Sequence, residues 1–313
     1  MPYLFGGIAL DTDLEFQQLE DLGRRVPRLR LGLRSVSSYH GDETILHQSD
    51  GRYRLTTGFV GQDSERDWVF RSRFPDSFTF SPSHRRIDCH IASADRQVWQ
   101  DVLFRRIIPR VATTYGAMAI HAAAIAIDGR CLLLLGPSGA GKSTLTAFCA
   151  QAGWRVLSDD ITLAWNDERV MVEPVQRGMG VWDRACSALA LPPGQCDPMP
   201  GYDGRKYSFQ PAQEPSSAAH GLSAVLVLNR SFQVVEPVFT RMQPDDALRA
   251  LVPQNIPFVV ETQPSAATAA SFGRIAALSR RVPFYRLEYP DGYDALPNTE
   301  AALRHTPIGE TIA

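Results

Sequence analysis

Residues 136–143 read Gly-Pro-Ser-Gly-Ala-Gly-Lys-Ser, a match to GxxxxGK[ST], and they stand between an apolar run over 131–135 and a helix-forming run over 142–152. Such a loop can occupy few places in a fold. Its glycines let backbone N–H groups curl around an anion, and the helix that follows adds a favourable field at its N-terminus. The feature therefore predicts a buried strand, a phosphate-cradling turn and a helix in that order, and with them an α/β chain. The flanks agree: strands over 120–127 and 131–135 joined by Asp128-Gly129, a helix closed by Gly153, and a further strand over 155–157.

Gly136, Pro137, Ser138, Gly139, Ala140, Gly141, Lys142, Ser143 and Thr144 are the expected nucleotide contacts, with Lys142 reaching the transferring phosphate and the Ser143 hydroxyl on magnesium. ATP and Mg2+ are thus the expected cofactors. Asp159 and Asp160 follow the next strand, seventeen and eighteen residues after Lys142. Adjacent carboxylates at a strand end point to different sides, so one can serve the metal while the other faces an acceptor hydroxyl as base. A solvated Asp-Asp turn is the plainer alternative. His121 lies in an apolar strand, where a satisfied core histidine is the usual occupant. Arg177 sits in a glycine-flanked bend, and Arg205 and Lys206 lie in a polar stretch. All three are candidates to neutralise phosphoryl charge or contact substrate, weighed against ordinary surface charge.

Elsewhere, short apolar runs over 3–10, 29–33, 53–60, 68–70, 77–80 and 87–91 make residues 1–100 a β-rich region, expected to recognise substrate. Residues 101–313 form the expected catalytic domain. An amphipathic helix over 96–117 is divided by Pro109. Strands are expected over 161–165, 169–172, 224–229 and 284–289, helices over 244–251 and 266–281, and a long surface loop over 191–217. Thirty-two basic against 34 acidic residues leave a net charge of −2, which offers no global field for nucleic acid or an anionic membrane. The start lacks a basic and long apolar leader, and five cysteines without regular spacing suit a reducing cytoplasm. Cys131 and Cys149 read as buried thiols.

From His121 to Val181 the residues resemble the HPr kinase/phosphorylase family: a histidine before the phosphate loop, the loop itself, the Ser158-Asp159-Asp160 segment, and Arg177-Gly-Met-Gly in place of an RGLG segment. The resemblance implies a P-loop kinase core of the HPr kinase/phosphoenolpyruvate carboxykinase type with a β-rich N-terminal region. It implies Asp160 as base, Asp159 on the metal side, and His121, Lys142 and Arg177 in the active site. The family's Glu-Ile before that segment is Val175-Gln176 here, and the N-terminal region and the chain beyond Leu191 depart from the family pattern. The overall layout, with an opening Tyr3-Leu-Phe-Gly-Gly, the Gly136–Thr144 loop in the middle and a closing Phe284-Tyr-Arg-Leu-Glu, is more similar to HPr kinase-like proteins of peptide natural-product pathways, among them lasso-peptide kinases, which phosphorylate the C-terminal serine of a precursor peptide. That implies an ATP-dependent serine kinase acting on a peptide or protein, with a homo-oligomer allowed. A kinase of a small hydroxylated metabolite and a non-catalytic ATP-dependent switch are the alternatives.

Overall fold

The computed structural model describes residues 2–305 except 17–18, 22, 24, 38–43, 49–54, 62–65, 73, 176–177, 200–201, 214–217 and 259–265. Among the described residues it is a mixed α/β chain with three sheets. Two compact units divide it: Met1–Tyr115 with Pro257–Ala269, and Gly116–Ile256 with Ala270–Ala313.

The first unit carries nine strands: β1 (Tyr3–Phe5), β2 (Ile8–Thr12), β3 (Glu20–Asp21), β4 (Leu29–Ser35), β5 (Thr44–Gln48), β6 (Thr56–Val60), β7 (Asp67–Arg71), β8 (Ser77–Ser81) and β9 (Arg86–His90). They form one sheet in the order β3-β1-β2-β4-β9-β8-β7-β6-β5, parallel only where β4 meets β2 and β9. The 3–10 run is a hairpin, because Gly6 and Gly7 both take positive φ and fold a two-residue turn that matches strand twist. Alternating residues bury Leu31, Phe70, Phe78, Phe80 and Ile87, and Phe258 of the returning segment packs edge-on against Trp68 at 4.9 Å.

The helix expected over 96–117 runs as α1 (Arg96–Val102), a π-turn over Leu103–Ile107 and α2 (Ile108–Thr114), all within this unit. Asp95 caps its start by accepting from the Gln97 N–H at 2.8 Å. Pro109 has no N–H to give and its ring crowds the preceding turn, so the ladder widens there and the Ile108 N–H bonds Leu103 O.

The second unit contains β10 (Met118–Ile120), β11 (Ala123–Ile127), β12 (Arg130–Leu135), α3 (Lys142–Gln151), β13 (Arg155–Ser158), β14 (Thr162–Asn166), β15 (Val170–Glu173), β16 (Met179–Trp182) and α4 (Asp183–Ala188). It continues through β17 (Cys196–Pro198), β18 (Lys206–Phe209), β19 (His220–Ser231), β20 (Val238–Arg241), α5 (Pro244–Leu251), α6 (Ala266–Arg281, whose first residues belong to the first unit), β21 (Phe284–Pro290) and α7 (Leu296–His305). The main sheet runs β10-β14-β15-β19-β12-β11-β13, with β21 beside β19 and β20 beside β21. Both faces are covered. Leu132 and Leu134 of β12 point into one core with Leu145 and Cys149 of α3, Trp154 and Leu303 of α7. Cys131, Leu133 and Leu135 point into the other with Leu251 of α5 and Leu278 of α6. An unbroken apolar run such as 131–135 is what a strand buried on both sides requires. The Cys131 and Cys149 thiols are fully buried, and burial pushes Cys131 up to about 12.

Two expectations are corrected. The run over 120–127 is two strands, broken at His121 and Ala122. The stretch over 191–217 is not a bare loop, since β17 and β18 lie in it and join β16 in a three-stranded sheet. Its prolines hid this: Pro198 stands in the edge strand β17, where a missing N–H costs no ladder bond. No helix among the described residues is long and apolar enough to cross a membrane.

Candidate functional site

The glycine loop leaves the C-terminal end of β12, which lies between antiparallel β11 and parallel β19, and enters α3. Gly141 is the N-cap residue of α3 with φ +91°, a left-handed conformation that favours glycine. A Cβ at Gly141 would also collide with the Tyr289 hydroxyl. That hydroxyl donates to Ala140 O at 2.8 Å, and burial holds its pKa above the usual tyrosine value, keeping it a donor. On the loop's outer side Arg230 Nη2 donates to Gly139 O at 2.6 Å.

The break in the neighbouring strands brings the acidic pair to this loop. Ile120 of β10 faces Thr162 of β14, and four residues on along each chain Ala124 of β11 faces Ser158 of β13. The ladder is thus interrupted on both chains at one level and resumes at Ala124 in the same register, which then shifts by one residue between Ala124 and Ile125. His121 and the Asp159-Asp160 turn occupy the gap. Ser158 and Thr162 hydroxyls lie 2.6 Å apart, and Thr162 Oγ1 donates to Ala122 O at 3.1 Å, which staples both chains across it. Within the gap the Ile161 N–H donates to Asp159 O at 2.9 Å around Asp160, whose φ is +69°. An i to i+2 bond about a positive-φ residue is a tight γ-type turn.

Each carboxylate then has its own neighbours. Asp159 accepts from Ser143 Oγ at 2.9 Å and from the Gly180 N–H at 3.0 Å. Asp160 Oδ1 lies 3.2 Å from His121 Nε2, with both side chains about a third exposed. Lys142 is 7% exposed and its Nζ donates to Gly136 O at 2.7 Å and Pro137 O at 3.3 Å. Burial lowers its pKa, Asp160 and Asp159 oppose that shift, and Lys206 adds to it.

Beside them lies a cavity of about 310 Å³, lined by His121, Ser138, Gly139, Gly141, Lys142, Ser143, Thr144, Asp160 and Lys206 among others, while Asp159, Gly136, Pro137 and Ala140 do not line it. Lys206 reaches it from β18. Its Nζ sits 5.0 Å from the Tyr202 ring and 5.6 Å from the Trp182 ring. Gly180 makes room, because a Cβ there would lie 2.9 Å from that Nζ. Arg205 does not line the cavity and pairs with Asp203 at 3.8 Å in solvent. Arg177 lies outside the described residues. Trp182, Arg184, Arg230 and Tyr293 also line the cavity and were not anticipated. For Arg230 a signal existed: it ends β19, parallel to β12, and ligands in α/β sheets sit beyond the carboxyl ends of parallel strands.

The model of the family described as SynChlorMet cassette protein ScmC matches residues 89–172, about a quarter of the chain. Among curated proteins none matches. Among solved structures, the HPr(Ser) kinase/phosphatase from Coxiella burnetii aligns over 59% of this chain and 93% of its own, at 12% identity and a TM-score of 0.32.

Proposed function

We propose that this chain is an ATP-dependent phosphotransferase that moves the γ-phosphoryl group to a serine-type hydroxyl of a peptide or protein. The observation that carries the reading is the convergence of Lys142, Ser143 and the Asp160–His121 pair on one cavity at the mouth of a glycine loop, with Asp159 bonded to Ser143 Oγ at 2.9 Å. Open N–H groups in the first turn of α3 and the Lys142 ammonium would hold the phosphate chain. Ser143 and Asp159 are already in contact and offer the hard oxygen donors that suit magnesium. Bound there, magnesium would neutralise charge on the phosphate oxygens.

Asp160 is the proposed base. His121 with its proton on Nε2 would donate to the Asp160 carboxylate and fix the oxygen that faces the acceptor. The acceptor hydroxyl gives its proton to Asp160, its oxygen bonds the γ-phosphorus, and the bond to the β–γ bridging oxygen breaks to release ADP. Lys142 and Lys206 flank the moving charge. Arg177 stays a proposed contributor on its place in a glycine-flanked bend and on the family resemblance. Similarity of layout to the lasso-peptide kinases supports the C-terminal serine of a lasso-peptide precursor as the first acceptor to try, and the irregularly spaced cysteines support a cytoplasmic setting.

The test is intact-mass detection of phosphoryl transfer from MgATP to serine-ended peptides, an HPr-like protein and hydroxylated metabolites. A gain of one phosphoryl group on a peptide is expected, falling about a hundredfold or more in Asp160→Asn and lost in Lys142→Ala. Transfer that survives Asp160→Asn would remove Asp160 as the base.

A further inference from the structure

A second cavity of about 160 Å³ adjoins the first through Gly141, Thr144, Arg230 and Tyr293, and adds Tyr289, Asp291, Gly292 and Leu296. None of His121, Asp160 or Lys206 reaches it. It therefore lies at the end of the loop opposite the transfer groups. Once the γ-phosphate of a bound nucleotide is set toward Lys142 and Asp160, the rest of that nucleotide must leave the loop past Gly141 and Thr144.

We propose that this second cavity seats the nucleoside of ATP, with the Tyr293 ring against the purine and the Asp291 carboxylate accepting from ribose hydroxyls. The inference rests on the reading of the glycine loop as the ATP phosphate site. Tyr293 is 40% exposed, so its ring presents an open face on which a base can stack. The Asp291 carboxylate is 28% exposed and pairs with Arg230 Nη1 at 3.0 Å, while the same guanidinium holds Gly139 O through Nη2. Arg230 thus ties the loop that cradles phosphate to the segment that would hold the sugar. The Asp291 N–H in turn donates to Ser231 O at 3.2 Å, which fixes the segment to the end of β19. Leu296 is buried and gives the cavity an aliphatic side chain. An aromatic face, a carboxylate and a leucine lining one small cavity match a nucleoside better than another phosphate, which Asp291 would repel.

Calorimetry on the full chain with MgATP, magnesium tripolyphosphate and magnesium 2′,3′-dideoxy-ATP tests this. Native protein is expected to bind ATP about tenfold more tightly than tripolyphosphate. Tyr293→Ala should weaken ATP by about tenfold while leaving tripolyphosphate within about twofold. Asp291→Ala, which removes the acceptor, should abolish the preference for ATP over its dideoxy analogue. Equal affinity of the native protein for ATP and tripolyphosphate, or equal weakening of both by Tyr293→Ala, would overturn the nucleoside site and leave the phosphate site standing. If the native protein binds neither ligand, the loop reading falls and this inference falls with it.

Discussion

Asp160 holds a left-handed backbone conformation that costs most non-glycine residues on the order of 1 to 3 kcal/mol, although aspartate tolerates it better than branched side chains do. The cost is met by the staples around it, Ser158 to Thr162 to Ala122, and the effect is to hold its carboxylate beside His121. Adjacent aspartates pointing apart was legible from strand geometry. The stop itself was legible as the gap between the strands expected over 155–157 and 161–165, but the γ-type turn was not, because nothing in Ser-Asp-Asp-Ile announces a positive φ at Asp160. His121 likewise read as a core residue on composition, and only the break in β10–β11 turns it toward the loop. Lys142 yields a prediction with a definite sign. Burial lowers its pKa in the free protein, and a polyphosphate beside it raises the pKa again, so above neutrality the complex holds more protons than its separated partners. Affinity for magnesium tripolyphosphate should fall as pH climbs above neutrality through the range below the ordinary lysine value, where the free Lys142 loses its proton first. Calorimetry in buffers of different ionisation enthalpy should show proton uptake on binding. Lys142→Met should remove that uptake, and an unchanged uptake in the variant would place the titration on another group.

At the scale of elements, strand, loop and helix over 130–151 were legible because three signals agreed: a both-sides-buried apolar run, a glycine pattern and a helix-forming run. The small sheet β16-β18-β17 was not, since its strands have three or four residues and its edge contains proline. Pattern counting needs longer runs than that. Yet this sheet brings Lys206 and the Gly180 N–H to the cavity. The loop's dependence on one glycine can be measured. Alanine at Gly141 would sit in a left-handed conformation costing about 1 to 2 kcal/mol and would also press on the Tyr289 hydroxyl. Tripolyphosphate affinity in Gly141→Ala is expected to drop by about tenfold or more. Adding Tyr289→Phe should restore part of it by removing the atom in the way. Native-like affinity in the single variant would show that the anion is held elsewhere.

For the whole molecule, the second unit depends on pairings between distant parts of the chain. β12 lies against β19, β19 against β21, and α7 covers the core that β12 and α3 begin. Contacts of such long range make a unit fold late and unfold together, because no part of the sheet is complete without the last elements. One buried cluster fastens α7. Glu300 Oε1 accepts from Trp154 Nε1 and from Arg304 Nη2, both at 2.6 Å, and Arg304 also donates to Ala152 O at 3.0 Å. Arg130 Nη2 reaches Arg304 O at 2.6 Å from β12. Glu300→Ala would leave the Trp154 N–H and the Arg304 guanidinium without their shared acceptor, a loss of about 3 kcal/mol for a largely buried pair. Glu300→Gln, which keeps an acceptor oxygen, should lose less. Urea unfolding gives the size of the effect, and hydrogen exchange gives its reach. If the long-range pairings bind the unit into one cooperative body, protection in β12 and β19 should fall together with that of α7. Protection lost from α7 alone would make this cluster a local fastening and leave the sheet stable without it.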